Sequence, residues 1–238
     1  MNLSAQGLDF RSLNQQVKAA AGDVCIRGCC GQRFIGSGLK DKHVVIHGTP
    51  GNALGAYLDG ACLEVRGNVQ DAVGDTMNDG EIVVYGNAGD ALGYAMRGGA
   101  IYVRGDAGYR AGIHMKAYQD KQPVIVIGGR AGSFLGEYLA GGTLIVLGLG
   151  EEGIPLGNFT GTGMHGGRIF VRTRQPLPAL PPQVEAAAAP PGEMESIAPY
   201  LREFAARFGL DAGTLLRDPF VLLRPSAKNP YQRLYTPN

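Results

Sequence analysis

The chain has no tryptophan and only four cysteines and four histidines among 238 residues. No run of about 18 apolar residues occurs, so no segment reads as a membrane-spanning helix. The stretch from Met1 to Ala20 contains no apolar core of signal-peptide length. Cys25, Cys29, Cys30 and Cys62 form no CxxC pair and no zinc-ligand spacing. They read as free thiols of a reducing cytoplasm, small semi-apolar wall residues whose role, for Cys25, Cys29 and Cys30 above all, stays open. Lys and Arg total 22 against 21 Asp and Glu, a net charge of +1. That balance gives no electrostatic reason to expect nucleic acid or an anionic membrane as partner.

What the chain has in excess is glycine, 38 residues. Collagen would need Gly at every third position, and a flexible linker would lack branched apolar residues. Neither fits. Instead one phrase recurs: apolar, any, apolar, any, Gly. It appears as Val24-x-Ile26-x-Gly28, Val44-x-Ile46-x-Gly48, Leu63-x-Val65-x-Gly67 and Ile82-x-Val84-x-Gly86. Ile101-x-Val103-x-Gly105, Ile125-x-Ile127-x-Gly129 and Leu144-x-Val146-x-Gly148 continue it. An eighth copy, Ile169-x-Val171-x-Thr173, lacks the glycine.

A second phrase follows at fixed offset. Gly51, Gly89, Gly108 or Gly132 comes three residues after the first glycine, with Gln70 as the exception. Then come Gly55, Gly74, Gly93, Gly112 or Gly136, each preceded by an apolar residue and followed three positions later by Leu or Met. A period of about 19 residues is too short for a strand-helix-strand unit and carries no helical stripe. Three short extended segments joined by glycine bends fit it. The expectation is an all-β fold, a single-stranded right-handed parallel β-helix of about seven coils, roughly 34 Å tall at one strand spacing per coil. Short helical extensions flank it at both ends.

The outward positions of the first segment are Cys25, Val45, Glu64, Val83, Tyr102, Val126, Ile145 and Phe170, mostly apolar. Such a stripe reads either as ordinary β-propensity or as a face for a partner, and the partner reading is preferred. Residues 1–22 form an N-terminal cap, with a helix over Leu8 to Ala21 whose apolar pair is Leu13 and Val17. Residues 23–173 form the β-helix. Residues 174–238 hold a Pro- and Ala-rich linker to Pro191, an amphipathic helix from Glu195 to Leu210 and a short strand from Pro219 to Leu223. They end in an aromatic arm from Pro230 to Tyr235. Two insertions, around Lys116 to Pro123 and Gly150 to Phe159, read as loops leaving a corner.

Catalytic signals are weak. Gly148-x-Gly150-x-x-Gly153 and Gly161-x-Gly163-x-x-Gly166 match a dinucleotide fingerprint, but neither leads from a strand into a helix. His43, His47, His114 and His165 show no metal spacing and read as surface or bend residues. Asp71, Asp75, Asp79 and Asp90 lie near bends, where an Asp bonds its own backbone. Arg66, Arg104 and Arg172 share one repeat position, either a solvated ladder or a surface for an acidic partner. The sequence thus names no catalytic residue, no cofactor-binding residue and no metal ligand.

Several strings go beyond the bare repeat: Gly48-Thr-Pro-Gly-Asn-Ala-Leu-Gly55, Gly67-Asn-Val-Gln-Asp71 and Gly93-Tyr-Ala-Met-Arg-Gly-Gly99. Gly108-Tyr-Arg-Ala-Gly-Ile-His-Met-Lys116, Ile127-Gly-Gly-Arg-Ala-Gly132 and Gly161-Thr-Gly-Met-His-Gly-Gly167 complete the set. Over roughly residues 8 to 173 the chain resembles the third, GXGXG β-helix domain of the glutamate synthase large subunit. The resemblance implies a non-catalytic scaffold in glutamate biosynthesis. It would hold a class II glutamine amidotransferase subunit and an FMN and iron-sulfur synthase subunit in register. Standing apart from them looks like the archaeal-type arrangement of separate subunits. The chain is also similar to the β-helix subunits of formylmethanofuran dehydrogenase and of N-methylglutamate synthase. A ligand-binding β-helix module acting alone is the competing class.

Overall fold

A computed structural model describes residues 1–150 and 152–226; the aromatic arm expected from Pro230 to Tyr235 lies outside them. The expected β-helix is present. Eight strands supply one wall, one per coil: β2 (Val24–Cys30), β3 (His43–Thr49), β4 (Asp59–Arg66), β5 (Asp79–Val84), β6 (Ala100–Val103), β7 (Val124–Ile127), β8 (Ala140–Val146) and β9 (Gly166–Arg172). They pair in parallel, each with the next. The ladder keeps like with like: Ile46 lies opposite Val65, Val65 opposite Val84, and Val84 opposite Val103. Their inward side chains are fully buried and stack into one continuous core. The eighth copy, without its glycine, is β9 and stays in the ladder.

The second wall differs from the extended segment that the period predicts. Every other residue there is left-handed: Ala53, Gly55 and Tyr57 have φ of 61°, 65° and 57°, and Ala72, Gly74 and Thr76 have 56°, 69° and 51°. Left-handed residues alternating with their neighbours turn successive N–H groups to opposite sides. Ala53 N donates to Asp71 O of the next coil at 2.9 Å, and Gly55 N donates to Ile35 O of the previous coil at 2.8 Å. The chain therefore bonds both neighbours without forming a strand. The apolar positions before and three after the second-phrase glycine, Leu54 and Leu58 for example, both belong to this one wall and are buried. The third wall is a column that the sequence pattern did not announce: Val69, Ala88, Ala107, Ala131 and Leu156, joined by single parallel bridges.

The two glycine classes have different causes. Gly93, φ 67°, sits where an L side chain is strained. Gly105 has no positive φ. A Cβ on it would fall closer than 3.0 Å to Asn87 Oδ1, which reaches up from the coil below. That oxygen accepts the N–H of Asp106 at 2.9 Å. Asn68 and Asp106 repeat the device on Asn87 N and Arg130 N, and Asp71 and Asp90 on Asp90 N and Tyr109 N. Asp71 and Asp90 thus bond the next coil's backbone, not their own. The corner glycines make room for a ladder of side-chain caps.

Both ends are closed. At the first coil, β1 (Asn2–Ser4) pairs in parallel with β2, and helix α1 (Phe10–Ala19) buries Leu13 and Val17. Asp9 caps its N-terminus, and Lys42 Nζ donates to Val17 O and Ala20 O at its C-terminus, each at 2.8 Å. At the other end β11 (Phe220–Pro225) pairs antiparallel with β9, and β10 (Val184–Ala188) with β11. The stretch read as a linker therefore contributes an edge strand. The insertion at 116–123 does not bulge away. Tyr118 and Lys121 form a bridge, and Lys121 Nζ lies 2.8 Å from Asp79 Oδ2, strapping the loop to the column.

Candidate functional site

The outward face of the β wall is where the sequence points to a partner. The structure covers most of it with the chain's own C-terminal helix. Val83, Tyr102, Val126, Ile145 and Phe170 are buried against Ile197, Leu201, Phe204 and Phe208 of α2 (Pro191–Phe208), with Leu215 of α3 (Ala212–Arg217) and Phe220 and Leu222 of β11. The apolar periodicity of α2 matches the apolar stripe of the sheet, so an intramolecular cover replaces the expected partner. Each large side chain buried this way contributes about 2 kcal/mol.

The cover stops at β4 and β5, and a polar network marks its edge. Tyr85 stands edge-on to Phe208 with ring centres 5.2 Å apart, and its hydroxyl donates to Arg207 O at 3.3 Å. The Arg66 guanidinium lies 3.8 Å over the Tyr85 ring and pairs with Glu64. Arg207 bridges Glu81 at 2.5 Å and Glu203 at 2.6 Å. Burial raises the Glu81 carboxyl above its ordinary value, against the pull of Arg207. Burial also pushes the Cys62 thiol up to about 11, helped by Glu81. Cys29 is raised to about 11, again by burial. Beyond this edge Cys25, Val45, His43 and His47 are half-buried.

The other candidates are scattered. His43 lies within β3, 3.5 Å from Glu64. His165 Nδ1 contacts Gly163 O. Arg172 is held by Asp218 at 2.7 Å and donates to Leu147 O, while Arg104 is exposed. So the three arginines at one repeat position share no common task. Gly148 and Gly153 of the first fingerprint line part of a cleft of about 200 Å³ with Arg172, Arg174 and Asp218. Asp218 occupies both arginines. The second fingerprint runs into β9. Among the described residues no three His, Cys, Asp or Glu side chains gather as metal ligands. No helix among them is long and apolar enough to cross a membrane.

One surface that the sequence pattern did not single out is the left-handed wall. Two columns of side chains run along its outside. The first is Phe34, Ala53, Ala72, Ala91, Arg110, Phe134 and Phe159, with φ from 55° to 64°. The second is Gly38, Tyr57, Thr76, Ala95, His114, Tyr138 and Gly163, with φ from 50° to 68°. Phe34, Tyr57, Tyr94, Tyr138 and Phe159 are among the exposed large apolar side chains of the chain. Phe134 stacks on Phe159 at 5.0 Å, and His114 on Tyr138 at 5.1 Å with 6° between their planes. The only sequence signal was position: aromatic residues two before or two after the second-phrase glycine.

A family model described as "GXGXG motif" matches residues 13–216. The chain belongs to the GXGXG motif family. Its residues are 43% identical over 251 aligned positions to the uncharacterized protein MJ1350 of Methanocaldococcus jannaschii, covering 99% of this chain and 96% of that protein. Its fold is similar to that of a chain in the formyltransferase/hydrolase complex (FhcABCD) of Methylorubrum extorquens, solved with methylofuran. The TM-score is 0.62 at 18% identity, covering 92% of this chain and 88% of that one. At that identity the likeness speaks for the GXGXG fold and no more.

Proposed function

We propose that this GXGXG chain is a non-catalytic β-helix subunit of a multi-subunit cytoplasmic enzyme of the glutamate synthase kind. It would hold a glutamine amidotransferase and an FMN and iron-sulfur subunit in register. The observation that carries the reading is the filled column. Inward positions from β2 to β9 are occupied by buried apolar side chains, and both ends are capped. Such a body offers rigid outer walls for other proteins rather than a cleft for a substrate.

A second reading places the chain in a one-carbon complex, as a counterpart of the β-helix subunit of formylmethanofuran dehydrogenase. The fold likeness to a chain of the formyltransferase/hydrolase complex favours it. The N-methylglutamate synthase β-helix subunit belongs to the same set of alternatives. Affinity purification of the tagged full chain from its native cells separates them. Stoichiometric recovery of a glutaminase and an FMN protein supports the first. Recovery of formyltransferase and hydrolase subunits supports the second. Recovery of no stoichiometric partner, with a small molecule that raises the melting temperature of the isolated chain, overturns both. The isolated chain is expected to release no ammonia from glutamine and to bind no FMN.

A further inference from the structure

We propose that the left-handed wall is the contact face of a homodimer. Two copies pack wall to wall with antiparallel columns, about a two-fold axis that crosses the wall between the coils of β5 and β6.

The reason is the order of bulk along the wall. A two-fold contact brings each residue against the residue at the mirrored coil of the second copy. An axis lying across the columns keeps each column facing its own counterpart. The β3 coil then meets the β8 coil, β4 meets β7, and β5 meets β6. In the first column Ala53 faces Phe159, Ala72 faces Phe134, and Ala91 faces Arg110. In the second, Gly163 faces Tyr57, Thr76 faces Tyr138, and Ala95 faces His114. Every bulky side chain that the two columns place on these six coils meets a smaller one, twice over by symmetry, while Tyr94, between the columns, faces Ile113. The small stretch of one copy is a trough for the aromatic ridge of the other. No shift of the axis by one coil keeps all six pairings.

Charge follows the same symmetry. The corner beside the first column carries Asp71 and Asp90 on the β4 and β5 coils, both exposed. The axis sets Asp90 against Tyr109, beside Arg110, and Asp71 against Ser133, on the same corner as Arg130. One pair opposes the arrangement: Asp75 faces Glu137. Arg110, which already holds Glu137 at 2.9 Å, lies one coil away and screens it.

Backbone cost gives an independent argument. A bulky residue in the left-handed region costs on the order of 1 kcal/mol or more. Glycine would relieve it. Phe159 and Tyr57 take that conformation while 57% exposed, so a single copy gains little burial from them. Burial against a second copy supplies the return. Tyr, Phe, His and Arg on a weakly charged field also match the composition of contact cores. Six coils at one strand spacing, with about six residues across, give roughly 500 Å² per copy, the lower bound for a specific interface. A reversible dimer, dissociating at micromolar concentration, is therefore expected.

The test is sedimentation of the full chain across concentrations, with circular dichroism melting to verify folding. The wild type is expected to dimerise. Ala72→Phe should give a monomer, since the ridge no longer enters the trough; Phe34, Phe134 and Phe159 show that the backbone there accepts a Phe. Phe134→Ala should weaken the dimer roughly tenfold. Combining Ala72→Phe with Phe134→Ala should restore it, because the two sites face each other across the axis. Phe159→Gly should weaken the dimer without lowering the melting temperature. A wild-type monomer at all concentrations, with the wall left for a different subunit, overturns the proposal. So does a dimer that ignores the single changes, or one that the double change fails to restore.

Discussion

Two faces of the column present apolar and aromatic side chains to the outside, with opposite fates. On the β face Val83, Val126, Ile145 and Phe170 are wholly buried under α2. On the left-handed wall Tyr138 and Phe159 remain 38% and 57% exposed. Among the described residues, the chain covers the first and leaves the second open. An apolar stripe on a repeat is thus not by itself an interface. It becomes one only after the rest of the chain has been fitted to it.

The largest expected effect breaks this contrast where the cover is tightest. Val83→Glu would bury an unpaired carboxylate between the sheet and α2, at a cost of about 3–5 kcal/mol. The isolated chain should lose roughly 10 °C or more of melting temperature. Val45→Glu, at the same repeat position beyond the end of α2, should cost less than about 1 kcal/mol. Equal responses would mean that α2 does not protect the stripe, and the β face would return as a candidate interface.

The next effect concerns the corners beneath both faces. Gly105→Ala drives a Cβ into Asn87 Oδ1 and should destabilise by about 2–3 kcal/mol. Removing the obstacle with Asn87→Ala should recover part of that loss, although it forfeits the cap on Asp106 N, worth about 1 kcal/mol. A double-mutant cycle in thermal melting reads the coupling. Strict additivity would show that the glycine answers to something other than the cap.

The period of about 19 residues made the strand wall, the inward Ile and Val positions and the closing helices legible before any coordinates. A two-residue alternation between bends has few other readings. The left-handed wall was not legible. Ala53, Ala72 and Ala91 give no sign of positive φ, because alanine is uncommon there and the cue rests with Gly55, Gly74 and Gly93. The third wall was not legible because Ala88, Ala107 and Ala131 are small, and the first two follow Asn87 and Asp106, which draw attention to the corner. The covering of Val83 by Phe204 and its neighbours was hidden for a different reason. Both stripes were visible, but their meeting is a tertiary event about 120 residues apart in sequence, with no local signal.

A smaller effect tests how the C-terminal cover is fastened. Arg172, whose guanidinium hydrogen-bonds Asp218, and then Arg174 hold that carboxyl below its ordinary value of 3.8. A lowered folded-state pKa means that the pairing stabilises fully above the unfolded value and fades as the pH falls through the folded one. The wild type should therefore lose stability below about pH 4, and Asp218→Asn should flatten that part of the curve. Melting followed from about pH 6 to about pH 2.5 checks it. A curve identical for both proteins would show that the cover is fastened by its apolar contacts alone.

The smallest expected effect probes the uncovered face, and its smallness is the point. Phe159→Gly removes a ring that is mostly in water and whose packing is a stack on Phe134. The stack is worth about 1 kcal/mol. The same change relaxes a left-handed phenylalanine at φ 61°, a gain of similar size, while the added freedom of glycine in the unfolded chain subtracts a little. The terms nearly cancel, so the melting temperature at low protein concentration should stay within about 2 °C of wild type. A fall as large as that of Val83→Glu would mean that the ring is buried by the chain itself. The contrast between the two faces would then be gone.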